Sequence, residues 1–357
     1  MKRRKFLESI GGSLALSSIL LSTANSTPQK TMYKWKMVTS WPKNFPGLGV
    51  GAENLAKLIT KLSNNRIKVR VFGANELVPP LEVFDFVSNG GAEIGHSGAY
   101  YWKGKSPACQ FFSSVPFGMN SQEMNAWLYY GGGIELWEKL YDKFNLIPRP
   151  AGNTGVQMGG WFNKKIKSVE DLKGLKMRIP GLGGEVLARA GGVPVTLAGA
   201  EIFTALQTGV IDATEWVGPY NDRAFGLHKA AKYYYFPGWH EPGPTIESII
   251  NKDAYNKLPN DLKLIIDISC KAANIDMLSD YTAKNNLALQ FLKSKKIEIL
   301  SFPDEVLIKL RSLSRDILKE ISQKDIITKE VYDSYMIFSN SVTPWTEISD
   351  KAYLNIK

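Results

Sequence analysis

Leu175-Lys-Met-Arg-Ile-Pro-Gly181, then Gly183 to Ala190, then Gly191-Gly192 and Val193-Pro-Val-Thr-Leu197, is the stretch that decides the fold class. Leu175 to Ile179 reads as a strand stopped at Pro180-Gly181. Gly183 to Ala190 reads as a helix closed by the glycine pair, and Val193 to Leu197 as the next strand. Outward toward the C-terminus, Ala200 to Leu206 is a helix ending at Gly209, and Ile211 to Trp216 is a strand running into Pro219. Outward toward the N-terminus, Ser168-Val-Glu-Asp171 resembles a capping box with Asp in place of Glu, opening one helical turn. Thr154 to Phe162 reads as a further strand. Strands alternating with helices predict an α/β fold with a parallel sheet and helices on its faces.

The same order occurs earlier in the chain. Trp35 to Ser40 is a strand, followed by a turn rich in Pro and Gly over Pro42 to Gly51. Leu55, Ala56, Ile59 and Leu62 recur at helical spacing. Ile67, Val69 and Val71 alternate with Lys68 and Arg70, as a strand does. Pro79-Pro80 opens a helix whose apolar face is Leu81, Val83, Phe84 and Val87; Gly90-Gly91 stops it, and Ala92 to Gly95 is a short buried strand. A chain of 357 residues exceeds what one core holds, roughly 250–300 residues. Two α/β units therefore suggest two lobes with a cleft between them. The last third is helical, with Leu262, Ile265, Ile266 and Cys270 on one helix and Leu307, Leu310, Ile317 and Ile321 on a second. Val331 to Ser339 is a third, exposing Tyr332, Tyr335 and Phe338, aromatics that pack on the chain's own core or on a second subunit.

Hydrophobic residues make 44% and charged residues 22% of the chain, which excludes disordered, collagen-like and coiled-coil classes. The apolar run within residues 10–24 is too short and too N-terminal for a good transmembrane helix. Residues 1–24 read instead as an export signal: a basic Met1-Lys-Arg-Arg-Lys5, an apolar Ile10 to Leu21, and small residues at Ser22-Thr23-Ala24. Arg3-Arg4-Lys5-Phe6-Leu7 resembles the twin-arginine pattern, so a soluble periplasmic protein is expected. The formal charge is +10; losing Lys2, Arg3, Arg4, Lys5 and Glu8 with the signal would leave +7. No basic arm interleaved with aromatics appears, so nucleic acid is not expected as a partner. Cys109 and Cys270 carry no motif; they read as buried free thiols, although an oxidising compartment would permit a pair.

Catalytic motifs fail one by one. Gly47-Leu-Gly-Val-Gly-Ala52 matches a loose dinucleotide fingerprint, but no acidic residue ends the next strand. Gly95-His-Ser-Gly98 is followed by Ala99, not the Gly of a nucleophile elbow. His96, His228 and His240 lack metal spacing and read as packed residues. What remains is polar residues in the second unit. Arg178 ends a strand, where open α/β sheets bind ligands; it can clamp a carboxylate by paired hydrogen bonds or pair with a structural acid. Gln157 lies on the strand before Gly159-Gly160-Trp161. Glu215-Trp216 ends the strand after Asp212, and Glu241 lies inside Phe236-Pro-Gly-Trp-His-Glu-Pro-Gly243. Two carboxylates at one site repel unless a cation or proton lies between them. With Gln157 they suit a hard cation, Na⁺ or Ca²⁺; an enzyme using Glu215 and Glu241 as acid and base is the chemical alternative.

Val169-Glu-Asp-Leu-Lys-Gly-Leu-Lys-Met-Arg-Ile-Pro-Gly181, Gly192-Val-Pro-Val195 and Glu201 to Glu215 resemble the solute-binding proteins of TRAP transporters, over about residues 33–350. Thr39-Ser-Trp-Pro-Lys-Asn44, Ser114-Val-Pro-Phe-Gly-Met-Asn120 and Gly155-Val-Gln-Met-Gly-Gly-Trp-Phe162 resemble the subgroup that binds 2-oxo acids and lactate with a metal ion. The resemblance implies a two-lobed periplasmic binding protein fold with a hinge, crossing strands, a long helix and a C-terminal helical extension. It implies lobe I over 33–153 and 241–282, lobe II over 154–240 and 283–326, and a C-terminal helix over 327–357. Residues 328–350 would be exchanged in a homodimer. It makes Arg178 the carboxylate clamp, with Gln157, Glu215, the Trp216 carbonyl and Glu241 around a bridging Na⁺ or Ca²⁺, and Tyr100 and Tyr101 as pocket wall. The expected ligand is a small monocarboxylate such as pyruvate or lactate, bound without catalysis and passed to the TRAP membrane permease subunits.

Overall fold

A computed structural model describes residues 32–357, so the expected export signal lies outside the described residues. The first unit runs β1 (Tyr33–Thr39), α1 (Leu48–Leu62), β2 (Ile67–Phe72), α2 (Val83–Ser88) and β3 (Ile94–Ser97). On β2, Ile67 and Val71 are buried while Lys68 and Arg70 are exposed, so the sequence alternation becomes one apolar face. Leu55, Ala56 and Ile59 form the buried side of α1. Two helices, α3 (Ser121–Tyr130) and α4 (Gly133–Asp142), precede β4 (Leu146–Asn153). Asn120 and Glu123 close a reciprocal capping box that starts α3.

The second unit runs β5 (Gly160–Phe162), β6 (Lys176–Arg178), α5 (Gly181–Arg189), β7 (Val193–Val195), α6 (Gly199–Gln207), β8 (Ala213–Thr214), α7 (Pro219–Phe225) and β9 (Tyr233–Phe236). The chain then returns through β10 (Thr245–Asn251) and α8 (Lys252–Asn256) to the 34-residue α9 (Asn260–Lys293). It closes with β11 (Glu298–Ser301), α10 (Asp304–Ser322) and α11 (Ile326–Thr346).

The strands form two sheets, ordered β2-β1-β3-β10-β4 and β11-β9-β5-β8-β6-β7, one in each lobe. Both are mixed rather than parallel. β10 runs antiparallel to β3 and β4, and β5 antiparallel to β8 and β9. The physical reason is that β5 and β10 enter their sheets from the other lobe. A βαβ crossover, which would fix a parallel return, is absent there. Segments 154–159 and 237–244 and helix α9 carry the chain between lobes. The first half of α9 sends Leu262, Ile266 and Cys270 into a core with β1 and α1; its second half sends Tyr281 and Leu292 into a core with Trp161 and Tyr234.

Several expectations are corrected. Thr154 to Phe162 is not one strand. Gly155 and Gly160 take positive φ angles (73° and 116°) that leave the extended region, so only Gly160–Phe162 pairs and Gln157 lies on a loop. A Cβ at Gly160 would also stand 2.5 Å from the Thr214 carbonyl oxygen. Ile211 to Trp216 shortens to Ala213–Thr214 because the chain turns at Glu215 toward α7. Tyr335 is not exposed. It lies buried on its own chain, its hydroxyl accepting from the Met119 N–H at 2.9 Å and its ring edge-on to Trp127. Tyr332 and Phe338 pack half-buried against the same core. Cys109 and Cys270 are free and buried in separate clusters. Among the described residues no helix is long and apolar enough to cross a membrane.

Candidate ligand and cation site

β6 and β8 are parallel, with Arg178 in register with Thr214, so Arg178 and Glu215 emerge at the same carboxyl end of the second sheet. Their backbones are tied there: the Glu215 N–H donates to the Arg178 carbonyl at 3.1 Å. Both side chains are 1% exposed. Arg178 donates from Nη1 to Glu215 Oε1, from Nη2 to the Tyr101 hydroxyl at 3.1 Å and from Nε to the Leu197 carbonyl at 3.3 Å. Its guanidinium carbon lies 5.0 Å from the Trp216 ring centroid. Burial works against the Arg178 charge, but Glu215, together with Tyr101, Tyr100 and Glu241, more than offsets this and holds its pKa above the ordinary value. Tyr100 and Tyr101 come from the first lobe, on a 3₁₀ turn immediately after β3. Burial raises the pKa of both hydroxyls.

The two crossing segments bring the other donors. The Gln157 N–H donates to the Glu241 carbonyl at 3.2 Å, and the Gly238 N–H to the Gln157 carbonyl at 2.9 Å. A side chain at 238 would collide with that same Gln157 carbonyl oxygen, its Cβ 2.3 Å away. Glycine there lets the strands of the hinge close on each other. Gln157 Nε2 donates to Glu241 Oε2 at 2.7 Å and to Thr154 Oγ1 at 3.1 Å. Its Oε1 is buried and accepts nothing among the described residues. Burial, and then the Glu215 charge, pushes the Glu241 carboxyl well above the usual carboxylate range, with Arg178 opposing. His240 Nε2 is 3.4 Å from Glu215 Oε2.

Glu215, His240 and Glu241 each offer a ligand atom, and these atoms lie within 4.8 Å of one another. The donor set fits a cation. A buried, unpartnered amide oxygen costs roughly 1–3 kcal/mol, and at Gln157 it stands beside two carboxylates that repel when both are charged. Oxygen donors of this kind match Na⁺ or Ca²⁺. Beside them is a tight void of about 10 Å³ lined by Trp41, Leu48, Tyr100, Thr154, Gln157, Trp216, Val217 and Ile246. A larger groove between α1 and α9, with Lys57, Lys61 and Asp276, is open to the surface and contains none of the site residues.

Arg178, Gln157, Glu215, Trp216, Glu241, Tyr100 and Tyr101 thus all converge. Arg178 does pair with an acid of the protein, and that acid is the Glu215 already singled out. Three neighbours escaped the sequence reading: Trp41, Thr154 and His240. The signal for His240 was its position beside Glu241, not any histidine spacing. His96 is a packed residue, accepting from Trp41 Nε1 at 2.9 Å, and burial pulls its pKa down to about 4.

Residues 37–325 match the family described as bacterial extracellular solute-binding protein, family 7. A protein of Nostoc sp. PCC 7120 described as a monocarboxylate 2-oxoacid-binding periplasmic protein is 45% identical over 359 aligned positions, covering 99% of this chain and 98% of its own. A TRAP periplasmic solute-binding protein of Colwellia psychrerythraea, solved with calcium and pyruvate, is 45% identical with a TM-score of 0.89, covering 92% of this chain and 100% of its own. One from Pseudoalteromonas atlantica T6c, solved with sodium and pyruvate, is 44% identical with a TM-score of 0.89, covering 91% and 99%. The chain belongs to the bacterial extracellular solute-binding protein family 7.

Proposed function

We propose that this protein captures a small 2-oxo or 2-hydroxy monocarboxylate, such as pyruvate or lactate, together with Na⁺ or Ca²⁺. It delivers the acid in the periplasm to the membrane permease of a TRAP transporter, without chemical change. The observation that carries this reading is the buried meeting of one guanidinium, two carboxylates and an unpartnered amide oxygen at the junction of the lobes. The relatives described with 2-oxo acids or with pyruvate and a cation support it.

In this reading Arg178 receives the ligand carboxylate through charge-assisted hydrogen bonds, worth roughly 1.5–3 kcal/mol. Tyr101, already hydrogen-bonded to Arg178, fixes the guanidinium from the opposite lobe. Gln157 Oε1, Glu215, Glu241 and the Trp216 carbonyl would hold the cation, whose positive charge offsets the burial that disfavours the charged form of Glu241. Tyr100 and the Trp216 ring wall the ligand from water. Lobe I over 33–153 and 241–282 and lobe II over 154–240 and 283–326 would close on it about the crossing segments. Export by the twin-arginine route and a homodimer through residues 327–357 complete the proposal. Supporting the dimer, Trp345, Ile348, Leu354 and Ile356 stand exposed toward the C-terminus.

The test is a thermal-shift and calorimetric screen of refolded mature protein against mono- and dicarboxylates, with Na⁺, with Ca²⁺ and with chelator in sodium-free buffer. Ligand at about 100 times its Kd should add about 2.7 kcal/mol of stability. Stabilisation confined to short 2-oxo or 2-hydroxy acids and lost with chelator is the expected result. Equal stabilisation with chelator removes the cation, a preference for dicarboxylates removes the ligand class, and turnover of the acid removes the binding-only role.

A further inference from the structure

Resting on that reading, we propose that Leu48, Val217 and Ile246 form an end wall that limits the chain length of the bound acid. The void beside the site is lined by polar Tyr100, Thr154 and Gln157 and by apolar Trp41, Leu48, Trp216, Val217 and Ile246. Trp216 joins void and site. Its ring lies 5.0 Å from the Arg178 guanidinium carbon and also lines the void. An acid whose carboxylate meets Arg178 and whose 2-oxygen meets the Gln157–Glu215–Glu241 group sends its alkyl tail past Trp216 into this space.

The wall is stiff on each side. Leu48 is the first residue of α1, its N–H donating to the Pro46 carbonyl at 2.8 Å. Ile246 sits on β10 at a register shift between Ile246 and Glu247, opposite Gly152. It is backed closely: a Cβ at Gly152 would meet Met277 Sδ at 2.5 Å and Ile246 Cβ at 3.1 Å. Ile246 and Met277, each 2% exposed, share one buried cluster, which leaves Ile246 little room to retreat. Val217 comes from the other lobe, its carbonyl accepting from the Met158 N–H at 3.0 Å. The wall is complete only when the lobes meet, so tail length is read at closure. A close-packed wall discriminates one extra methylene by roughly 10–200-fold, because overpacking cannot be relieved by small shifts.

The experiment measures Kd by calorimetry at saturating Ca²⁺ for pyruvate, 2-oxobutyrate, 2-oxopentanoate and 2-oxohexanoate. It compares the wild type with Ile246→Ala, Leu48→Ala and Ile246→Val. The readout is the ratio of the 2-oxohexanoate Kd to the pyruvate Kd. In the wild type this ratio should be large; Ile246→Ala and Leu48→Ala should each lower it by about 10-fold or more, and Ile246→Val by less. Ile246→Val keeps the β-branched shape of the strand residue and retains the test if the alanine variant fails to fold. Wild-type protein that binds pyruvate with Ca²⁺, but whose ratio stays within about threefold across the variants, overturns the wall alone. Wild-type protein that binds none of the four acids with Ca²⁺ overturns the functional reading and the wall with it.

Discussion

Arg178 and Glu215 illustrate how a single register pairing builds a site. Placing β6 beside β8 brings a cation and an anion to one buried strand end, and neither has water to fall back on. Replacing Arg178 by Ala should cost at least about 2 kcal/mol of ligand affinity, near 30-fold in Kd, measured by calorimetry; an unchanged Kd would take Arg178 out of the site. Away from the site, Glu247 is a buried carboxyl accepting from Trp102 Nε1 and from the Tyr141 hydroxyl at 2.9 Å. Burial pushes its pKa up to about 7, from an ordinary 4.5. The folded protein therefore keeps a proton that the unfolded chain releases, so stability falls as pH rises from 4.5 to 7. Glu247→Gln should flatten that fall by up to about 3 kcal/mol, visible as a smaller Tm difference between pH 5 and pH 8 than in wild type. Gln157, Arg178, Glu215 and Glu241 were legible in the sequence because each is a polar residue at the end or break of an apolar run. Trp41, Thr154 and His240 were not, because only the hinge geometry brings their segments together.

At the scale of elements, α11 behaves as a brace. Beyond the Tyr335 contact, Trp127 Nε1 donates to Ser334 Oγ at 3.1 Å, and Val331 is fully buried. Tyr335→Phe leaves the buried Met119 N–H without an acceptor and should cost roughly 1–3 kcal/mol, read as a lower Tm or denaturation midpoint. The helices and parallel strands of both α/β units were legible from periodicity. The strands that knit the lobes were not. β4 reads Leu146-Ile-Pro-Arg-Pro-Ala-Gly-Asn153, and two prolines argue against a strand. It forms because it is the outermost strand of its sheet, where a missing N–H is tolerated. β11 is likewise an edge strand, four residues at the edge of the second sheet, too short to carry a pattern.

Across the whole molecule, closure has its own fastening that lies outside the ligand site. Asn221, on α7 of the second lobe, donates from Nδ2 to the Pro46 carbonyl at 2.8 Å and accepts from the Tyr281 hydroxyl at 2.6 Å. Phe45 stacks on Phe225 with centroids 4.3 Å apart, one ring from each lobe. Asn221→Ala removes the hydrogen bond to Pro46, which exists only when the lobes meet, and the buried bond to Tyr281 on the crossing helix. It should reduce the closed population and weaken ligand binding by roughly 5–30-fold, with a larger radius of gyration by small-angle scattering at the same ligand concentration. A variant as tight and as compact as wild type would show the fastening to be inert.

The strand order also governs how the chain can be made. β10 lies between β3 and β4, although the whole second-lobe run from β5 to β9 separates it from β4 along the chain. A nascent polypeptide stopped at residue 240 would hold β3 and β4 with no shared neighbour, and the second sheet would still await β11 beyond the long helix. The first sheet therefore waits until the second-lobe run has been made, and the second waits for the strand after the long helix. Such distant pairings slow folding and leave open strand edges that invite aggregation while they wait. Until translation has passed Ser301, the ribosome carries a nascent chain that has to be kept from its neighbours.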